Sequence, residues 1–221
     1  STSRRQRQMC IRDSFHTLCE QDAQPLHDTL KEVERQFGEW LPKMKWLNFG
    51  GGHHITREGY DIALLERCIC EMKEKYDLEI FLEPGEAVAL NAGVLLTKVE
   101  EIVENSIQIA ILDTSAACHM PDVLEMPYRP PLQDGYEAEE KEYTYRLAGP
   151  TCLAGDVIGD YSFEEPLKRG DTLTFEDMAI YTMVKNNTFN GMRLPAIVLE
   201  DKDGECRVVR QFEYEDFKMR L

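Results

Sequence analysis

The chain has 221 residues, 43% of them hydrophobic, with 41 acidic side chains against 25 basic ones and a formal net charge of −16. That length holds one large domain or one and a half ordinary ones, and the negative field argues against nucleic acid and anionic membranes as partners while favouring cationic ligands. No apolar run approaches the roughly 18 residues of a membrane span, and the seven scattered cysteines, without a CxxC pair, point to free thiols in a reducing, cytoplasmic setting.

The opening STSRRQRQMCIRDS stands apart from the rest of the chain. Between Ser1 and Asp13 four arginines meet a single aspartate, with neither helical nor strand periodicity, and it lacks the apolar stretch that a secretory leader requires. A basic arm for polyanions is one reading. RRQRQMCIRD also resembles a translated transposase adapter from library preparation, and residues 1–14 are set aside from the fold on that ground. The natural sequence is then expected to begin upstream of Phe15.

From Phe15 onward strands and helices alternate. FHTLC predicts a short buried strand with His16 inside it. PLHDTLKEVERQFGEWL places Leu26, Leu30, Val33, Phe37 and Leu41 at helical spacing. MKWLNFGGG predicts a second strand ending in Gly50, Gly51 and Gly52. The next helix is expected to open near Thr56–Glu58 and to bury Ile62, Leu65, Ile69 and Met72, with Lys73 and Lys75 suited to its C-terminus. LEIFLEPG predicts a third strand, stopped by Pro84 and Gly85. Such alternation implies βαβ units and a parallel sheet.

The pattern then changes. VLLTKVEEIVEN, SIQIAILDTS, KEYTYRLAGP and DTLTFED predict strands, MPYRPPLQDG a Pro-rich connection, and a short helix is expected around Met178 to Val184. The fold class is therefore α/β followed by β, with an α/β part over 15–100, a mainly β part over 101–221, and a soft boundary at 86–100. Three βα units cannot close a barrel, which needs eight and about 250 residues.

Several residues carry possible chemistry. Gly50, Gly51 and Gly52 lie between a strand and a helix, where backbone amides can cradle a phosphate or simply turn the chain. His53 and His54 point to opposite faces of an extended segment, and no HExxH or HxH spacing supplies a third ligand, so no metal is expected. Glu83 ends a strand, at the mouth where barrels carry catalytic groups, or it is a solvated loop acid. Cys152 lies in AGPTCLAGD with Asp156 four residues on, either as a structural thiol or as a reactive one in a cleft. CHMPD adds Cys118, His119 and Asp122. Tyr181 and the TFNG turn at 188–191 belong to a site or to core and turn.

The order of these features, histidine after one strand, GGG after the next, Glu-Pro-Gly after the third, then GPTC and a tyrosine before FNG, resembles the fold-type III pyridoxal-phosphate decarboxylases. FHTLCEQ, KWLNFGGGHHITREGYD, FLEPGEAV, AILDTSAACHMPDVLEMPYRP and GPTCLAGDVIGDY narrow the resemblance to the carboxynorspermidine/carboxyspermidine decarboxylases, from Phe15 to the C-terminus.

The resemblance implies the C-terminal portion of a (β/α)8 barrel binding pyridoxal 5'-phosphate, followed by a β-rich domain. It implies decarboxylation of a cationic, carboxylated polyamine to norspermidine or spermidine in polyamine biosynthesis, by a homodimer. In it, His16 stacks on the pyridine ring, Gly50, Gly51 and Gly52 hold the phosphate with help from Tyr181, and Glu83 pairs with the pyridine nitrogen. Cys152 enters the neighbouring subunit's site and acts in protonation. Asp156 faces a substrate amine, and Asp113, Asp122 and Arg129 lie on the substrate side.

Where many relatives have an arginine for the phosphate, this chain has Glu86, expected to face the cationic substrate. The family's Schiff-base lysine lies on an early strand that nothing before Phe15 supplies, so the chain alone is expected to be inactive and to expose barrel edges. The alternatives are a diaminopimelate- or ornithine-type decarboxylase, a non-catalytic homologue binding the same cofactor, or a metallohydrolase.

Overall fold

The computed structural model describes residues 12–221, and the chain divides between Leu90 and Asn91 into two compact units. Residues 1–11, and with them most of the segment set aside as foreign, lie outside the described residues.

In the first unit the described residues form a parallel sheet in the order β1 (Arg12–Ser14), β2 (Trp46–Asn48), β3 (Glu79–Phe81). Helix α1 (Ala23–Phe37) connects β1 to β2, and α2 (Ile62–Tyr76) connects β2 to β3. The strand expected over FHTLC thus lies earlier, at Arg12–Ser14, and His16 sits beyond the strand rather than within it. The reason is local. The Phe15 N–H still donates to the Asn48 carbonyl at 3.2 Å, but a Cβ on Gly50 would lie 2.2 Å from the Phe15 carbonyl oxygen. The two backbones are already at closest approach there, and the chain leaves the ladder at His16.

Helix α1 opens on Asp22, whose side chain accepts from the Ala23 N–H and so satisfies one of the helix's orphan donors. Leu26 and Leu30 are buried as their spacing predicts, whereas Phe37 stays exposed. The helix ends at Phe37, so Leu41 reaches the core from a separate 3-10 turn, Leu41–Lys43. Helix α2 opens on Asp61, well after the expected Thr56–Glu58. Its buried stripe is Leu65, Cys68 and Met72, with Ile69 at the margin and Ile62 exposed in the first turn. These side chains pack with Leu47, Phe49 and Leu78 into one core.

The second unit is built on a mixed sheet with the order β7-β6-β5-β4-β8. Its strands are β4 (Leu95–Asn105), β5 (Ile107–Leu112), β6 (Tyr143–Ala148), β7 (Val157–Phe163) and β8 (Thr172–Phe175). Within this sheet only β5 and β6 run parallel. Strand β7 has no counterpart among the predicted strands, because Gly159 and Asp160 break its apolar run; the Asp160 carboxylate faces outward and takes a two-pronged contact from Arg146 on β6 at 2.8 and 2.9 Å. The core is Val99, Leu112, Met120, Leu147, Tyr161 and Phe175 with their neighbours. The expected short helix is Tyr181–Lys185, and Met178 lies before it in the sheet core. A separate antiparallel ribbon, β9 (Ile197–Glu200) with β10 (Cys206–Arg210), comes after it. Among the described residues no helix is long and apolar enough to cross a membrane.

Candidate active site

In the first unit the predicted residues converge beyond the C-terminal ends of the parallel strands, where ligands of α/β sheets characteristically bind. The strand ladder runs on past β2 and β3: the Phe49 N–H donates to the Phe81 carbonyl at 2.9 Å, and the Glu83 N–H to the Gly50 carbonyl at 2.8 Å. Gly50 and Gly52 take φ of 73° and 77°, a region costly for any residue with a Cβ. A Cβ on Gly51 would meet the Glu83 carbonyl at 2.8 Å and His16 Nε2 at 3.3 Å. His16, the glycine turn and Glu83 are therefore one cluster.

Two further features decide what this cluster can hold. The Gly50 N–H is taken by Asn48 Oδ1 at 2.8 Å, while the Gly51 and Gly52 N–H groups have no acceptor among the described residues. Two free, adjacent amides suit an anion. The dipole of α2 adds less than its predicted start implied, since α2 begins only at Ile62. Opposite the turn, Glu83 Oε1 accepts from Asn48 Nδ2 at 2.8 Å, and Oε2 has no hydrogen-bond partner among the described residues. An open carboxylate oxygen suits a protonated ring nitrogen.

His53 and His54 flank the turn. His53 is buried, its Nε2 donates to the Phe49 carbonyl at 3.2 Å, and burial, with nearby His16 adding, holds its pKa below the ordinary value. His54 lies 3.4 Å from Glu86 Oε2, an ion-pair distance without hydrogen-bond geometry at Nε2. Glu86, on α3 (Gly85–Ala89), is thus turned to His54 inside the unit. Among the described residues no group of three His, Cys, Asp or Glu side chains is placed to hold a metal ion.

The second unit gathers a different set around Cys152. Asp156 is buried, and its carboxylate accepts four hydrogen bonds. Ser115 Oγ (2.9 Å) and the Ala117 N–H (3.1 Å) donate to Oδ1; Thr151 Oγ1 (2.6 Å) and the Thr151 N–H (3.3 Å) donate to Oδ2. With these four donors Asp156 anchors the loop that carries Cys152. Gly149 belongs to the same arrangement, since a Cβ on it would lie 2.2 Å from Asp156 Oδ2. The anchored loop leaves Cys152 exposed, with Asn190 Nδ2 donating to its Sγ at 3.0 Å. The GPTC loop and the FNG turn therefore meet.

Helix α4 (Ala116–His119) is the floor beneath them. Cys118 is buried with its thiol toward the Phe189 carbonyl, and burial pushes its pKa up. His119 Nδ1 accepts from the Ser115 N–H at 3.2 Å, and Nε2 donates to the Arg193 carbonyl at 2.9 Å, which fixes a neutral ring in one tautomer. Burial lowers its pKa against smaller opposing effects of the Arg193 carbonyl, Asp113 and Asp156. The unfolded chain therefore takes up a proton at His119 at higher pH than the folded one, and stability held above about pH 6.5 is lost as pH falls through the folded value. Between about pH 7.5 and about pH 5.5 the urea midpoint should drop, and His119→Gln should show a smaller drop from a lower start. Buried His53 contributes with the same sign and remains in that variant.

The remaining predicted residues lie in the second unit. Asp113 Oδ1 accepts from Thr97 Oγ1 and the Lys98 N–H, pinning β5 to β4. Asp122, on α5 (Asp122–Glu125), accepts from the Tyr128 hydroxyl, and its Oδ1 is buried without a partner among the described residues. Arg129 donates to the Tyr136 carbonyl, pairs with Glu137 and lies 4.7 Å over the Tyr161 ring, which makes it a brace for the Pro-rich connection. Tyr181, the first residue of α6 (Tyr181–Lys185), is exposed, and its hydroxyl has no hydrogen-bond partner among the described residues. Sequence reasoning missed Asn48, Ser115, Thr151 and Asn190. Asn48 alone left a trace, as the polar residue interrupting the apolar run WLNF.

Comparison with known proteins adds an independent finding. Residues 11–179 match the family model described as pyridoxal-dependent decarboxylase, C-terminal sheet domain. A carboxynorspermidine/carboxyspermidine decarboxylase of Campylobacter jejuni is 46% identical over 217 residues, covering 93% of this chain and 57% of that protein. A carboxyaminopropylagmatine decarboxylase of Synechocystis is 47% identical over 208 residues, covering 93% of this chain and 54% of that protein. The crystal structure of carboxynorspermidine decarboxylase complexed with norspermidine from Campylobacter jejuni matches with a TM-score of 0.85 at 45% identity, over 95% of this chain and 60% of that one. The chain spans little more than half the length of these relatives.

Proposed function

Because the chain belongs to the pyridoxal-dependent decarboxylases, through their C-terminal sheet domain, we propose that it serves the decarboxylation of carboxynorspermidine or carboxyspermidine with pyridoxal 5'-phosphate, in polyamine biosynthesis. The observation that carries this reading is the cluster of His16, the free Gly51 and Gly52 amides and the open Glu83 Oε2 at the ends of parallel strands. These residues fit the cofactor: amides for its phosphate, an imidazole for its ring face, a carboxylate for its ring nitrogen. When bound, the cofactor supplies an electron-withdrawing ring that accepts the electron pair left as the α-carboxylate departs as CO₂.

The chain's own groups then have distinct tasks. Gly51 and Gly52 hold phosphate oxygens without a side chain in the way. Glu83 Oε2 accepts from the ring N–H and keeps the proton there. Cys152 holds the proton to be delivered to the carbon that lost CO₂, from an exposed loop offered to a second subunit, which makes the working form a homodimer. Asp113, Asp122 and Asp156 in the second unit, and Glu86 in the first, are the residues proposed for the substrate. We read the three strand–helix repeats as part of a (β/α)8 barrel, supported by the parallel order and the helical connections. The cysteine usage supports a cytoplasmic setting.

A second substrate reading is favoured by the 47% identity to the carboxyaminopropylagmatine enzyme. The experiment for both is CO₂ release by the full-length protein, which carries the early lysine-bearing strand that the resemblance implies, supplied with pyridoxal 5'-phosphate and offered carboxynorspermidine, carboxyspermidine, carboxyaminopropylagmatine and diaminopimelate in parallel. Turnover of either of the first two supports the main reading. Turnover of carboxyaminopropylagmatine alone moves the assignment to the second, and turnover of diaminopimelate alone overturns both.

A further inference from the structure

Asn48 stands between the two halves of the cofactor cluster. Its Oδ1 accepts the Gly50 N–H and its Nδ2 donates to Glu83 Oε1, each at 2.8 Å. A primary amide offers one acceptor and one donor on a rigid plane, so the two contacts cannot drift independently. The side chain is buried, and breaking either contact leaves a polar group unpaired where replacement by water is poor. Holding Glu83 by Oε1 alone fixes the direction in which Oε2 faces.

We propose that Asn48 is a positioning residue for the cofactor: one amide sets the phosphate-holding glycine turn and the ring-nitrogen carboxylate at a fixed spacing. This rests on the pyridoxal-phosphate reading. The spacing matters because phosphate and ring nitrogen belong to one rigid ligand, and a carboxylate displaced by an ångström loses most of a charge-assisted hydrogen bond.

Substitution separates the two contacts. In Asn48→Asp an oxygen still accepts from Gly50, but the oxygen facing Glu83 is a second acceptor, and two carboxylates so close cannot both stay charged and in place. In Asn48→Ser the side chain is too short to reach Glu83. The probe is 4'-deoxypyridoxine 5'-phosphate, which lacks the aldehyde and so binds without forming a covalent link. Its absorbance reports whether the bound ring nitrogen is protonated, and comparison with unphosphorylated 4'-deoxypyridoxine reports the phosphate's share of affinity.

The expected result is that the wild-type protein binds the phosphorylated ligand more tightly and holds the protonated ring to higher pH than in solution. Asn48→Asp should lower that titration midpoint by about one unit, a tenfold loss for the protonated form, with the phosphate preference kept. Asn48→Ser should weaken both, and it carries the test if the aspartate variant does not fold. Variants that titrate as wild type does, while Glu83→Gln shifts, overturn the positioning role and leave the cofactor reading standing. A wild-type protein with no preference for the phosphorylated ligand overturns the cofactor reading and this role with it.

Discussion

Gly52→Ala is expected to destabilise the first unit by about 2–5 kcal/mol, a large share of the 5–15 kcal/mol typical of a domain. Two costs add. At φ of 77° a side chain costs roughly 1–2 kcal/mol in backbone strain. The new Cβ would also lie 2.2 Å from the Leu18 carbonyl oxygen, 2.5 Å from its carbon and 2.9 Å from the Cys19 nitrogen. Those neighbours are backbone atoms held by their own ladder, since the Gly52 carbonyl accepts from the Gln21 N–H, and forced overpacking adds about 1–3 kcal/mol. Gly59→Ala is the control. Its φ is 80° but nothing lies within 4 Å of the Cβ position, so only the backbone cost applies. Urea unfolding of both variants measures the difference; equal losses would show that the turn yields to the side chain.

Asp156→Ala is expected to cost about 3–5 kcal/mol and to loosen the Cys152 loop. It leaves Ser115 Oγ, Thr151 Oγ1 and the N–H groups of Ala117 and Thr151 without their shared acceptor. Each orphaned buried donor costs about 1–3 kcal/mol, and the total falls short of the sum because relaxation is shared. Asp156→Asn keeps an acceptor for Ser115 and Ala117 but turns an NH₂ toward Thr151, so about half the loss is expected. Hydrogen exchange at residues 151–157 reads the loop directly. Faster exchange in both variants, graded in that order, is the expected pattern; unchanged exchange in Asp156→Ala would show that the loop is held from elsewhere.

Local patterns in the chain were enough for α1, α2 and the change from alternating elements to a β-rich part. Leu26, Leu30, Leu65 and Met72 carry a helical period, which is a property of neighbours along the chain. The same period could not say that Phe37 and Ile62 stay exposed while Cys68 is buried, because that depends on what packs opposite. The motif order identified the family and nominated His16, the glycines, Glu83 and Cys152. It could not assign Asp156 or Glu86, since a carboxylate in a motif looks the same whether it meets a substrate, an imidazole or four protein donors.

By itself the sequence determined the two long helices, the turn from alternating elements to strands, the family and the residue kinds available for chemistry, all encoded in short-range order and composition. Only the tertiary structure decided which polar groups are already spent. Asn48 meets Glu83 across 35 residues and Ser115 meets Asp156 across 41. Those meetings follow from sheet register and loop closure, which set distances that no local period contains.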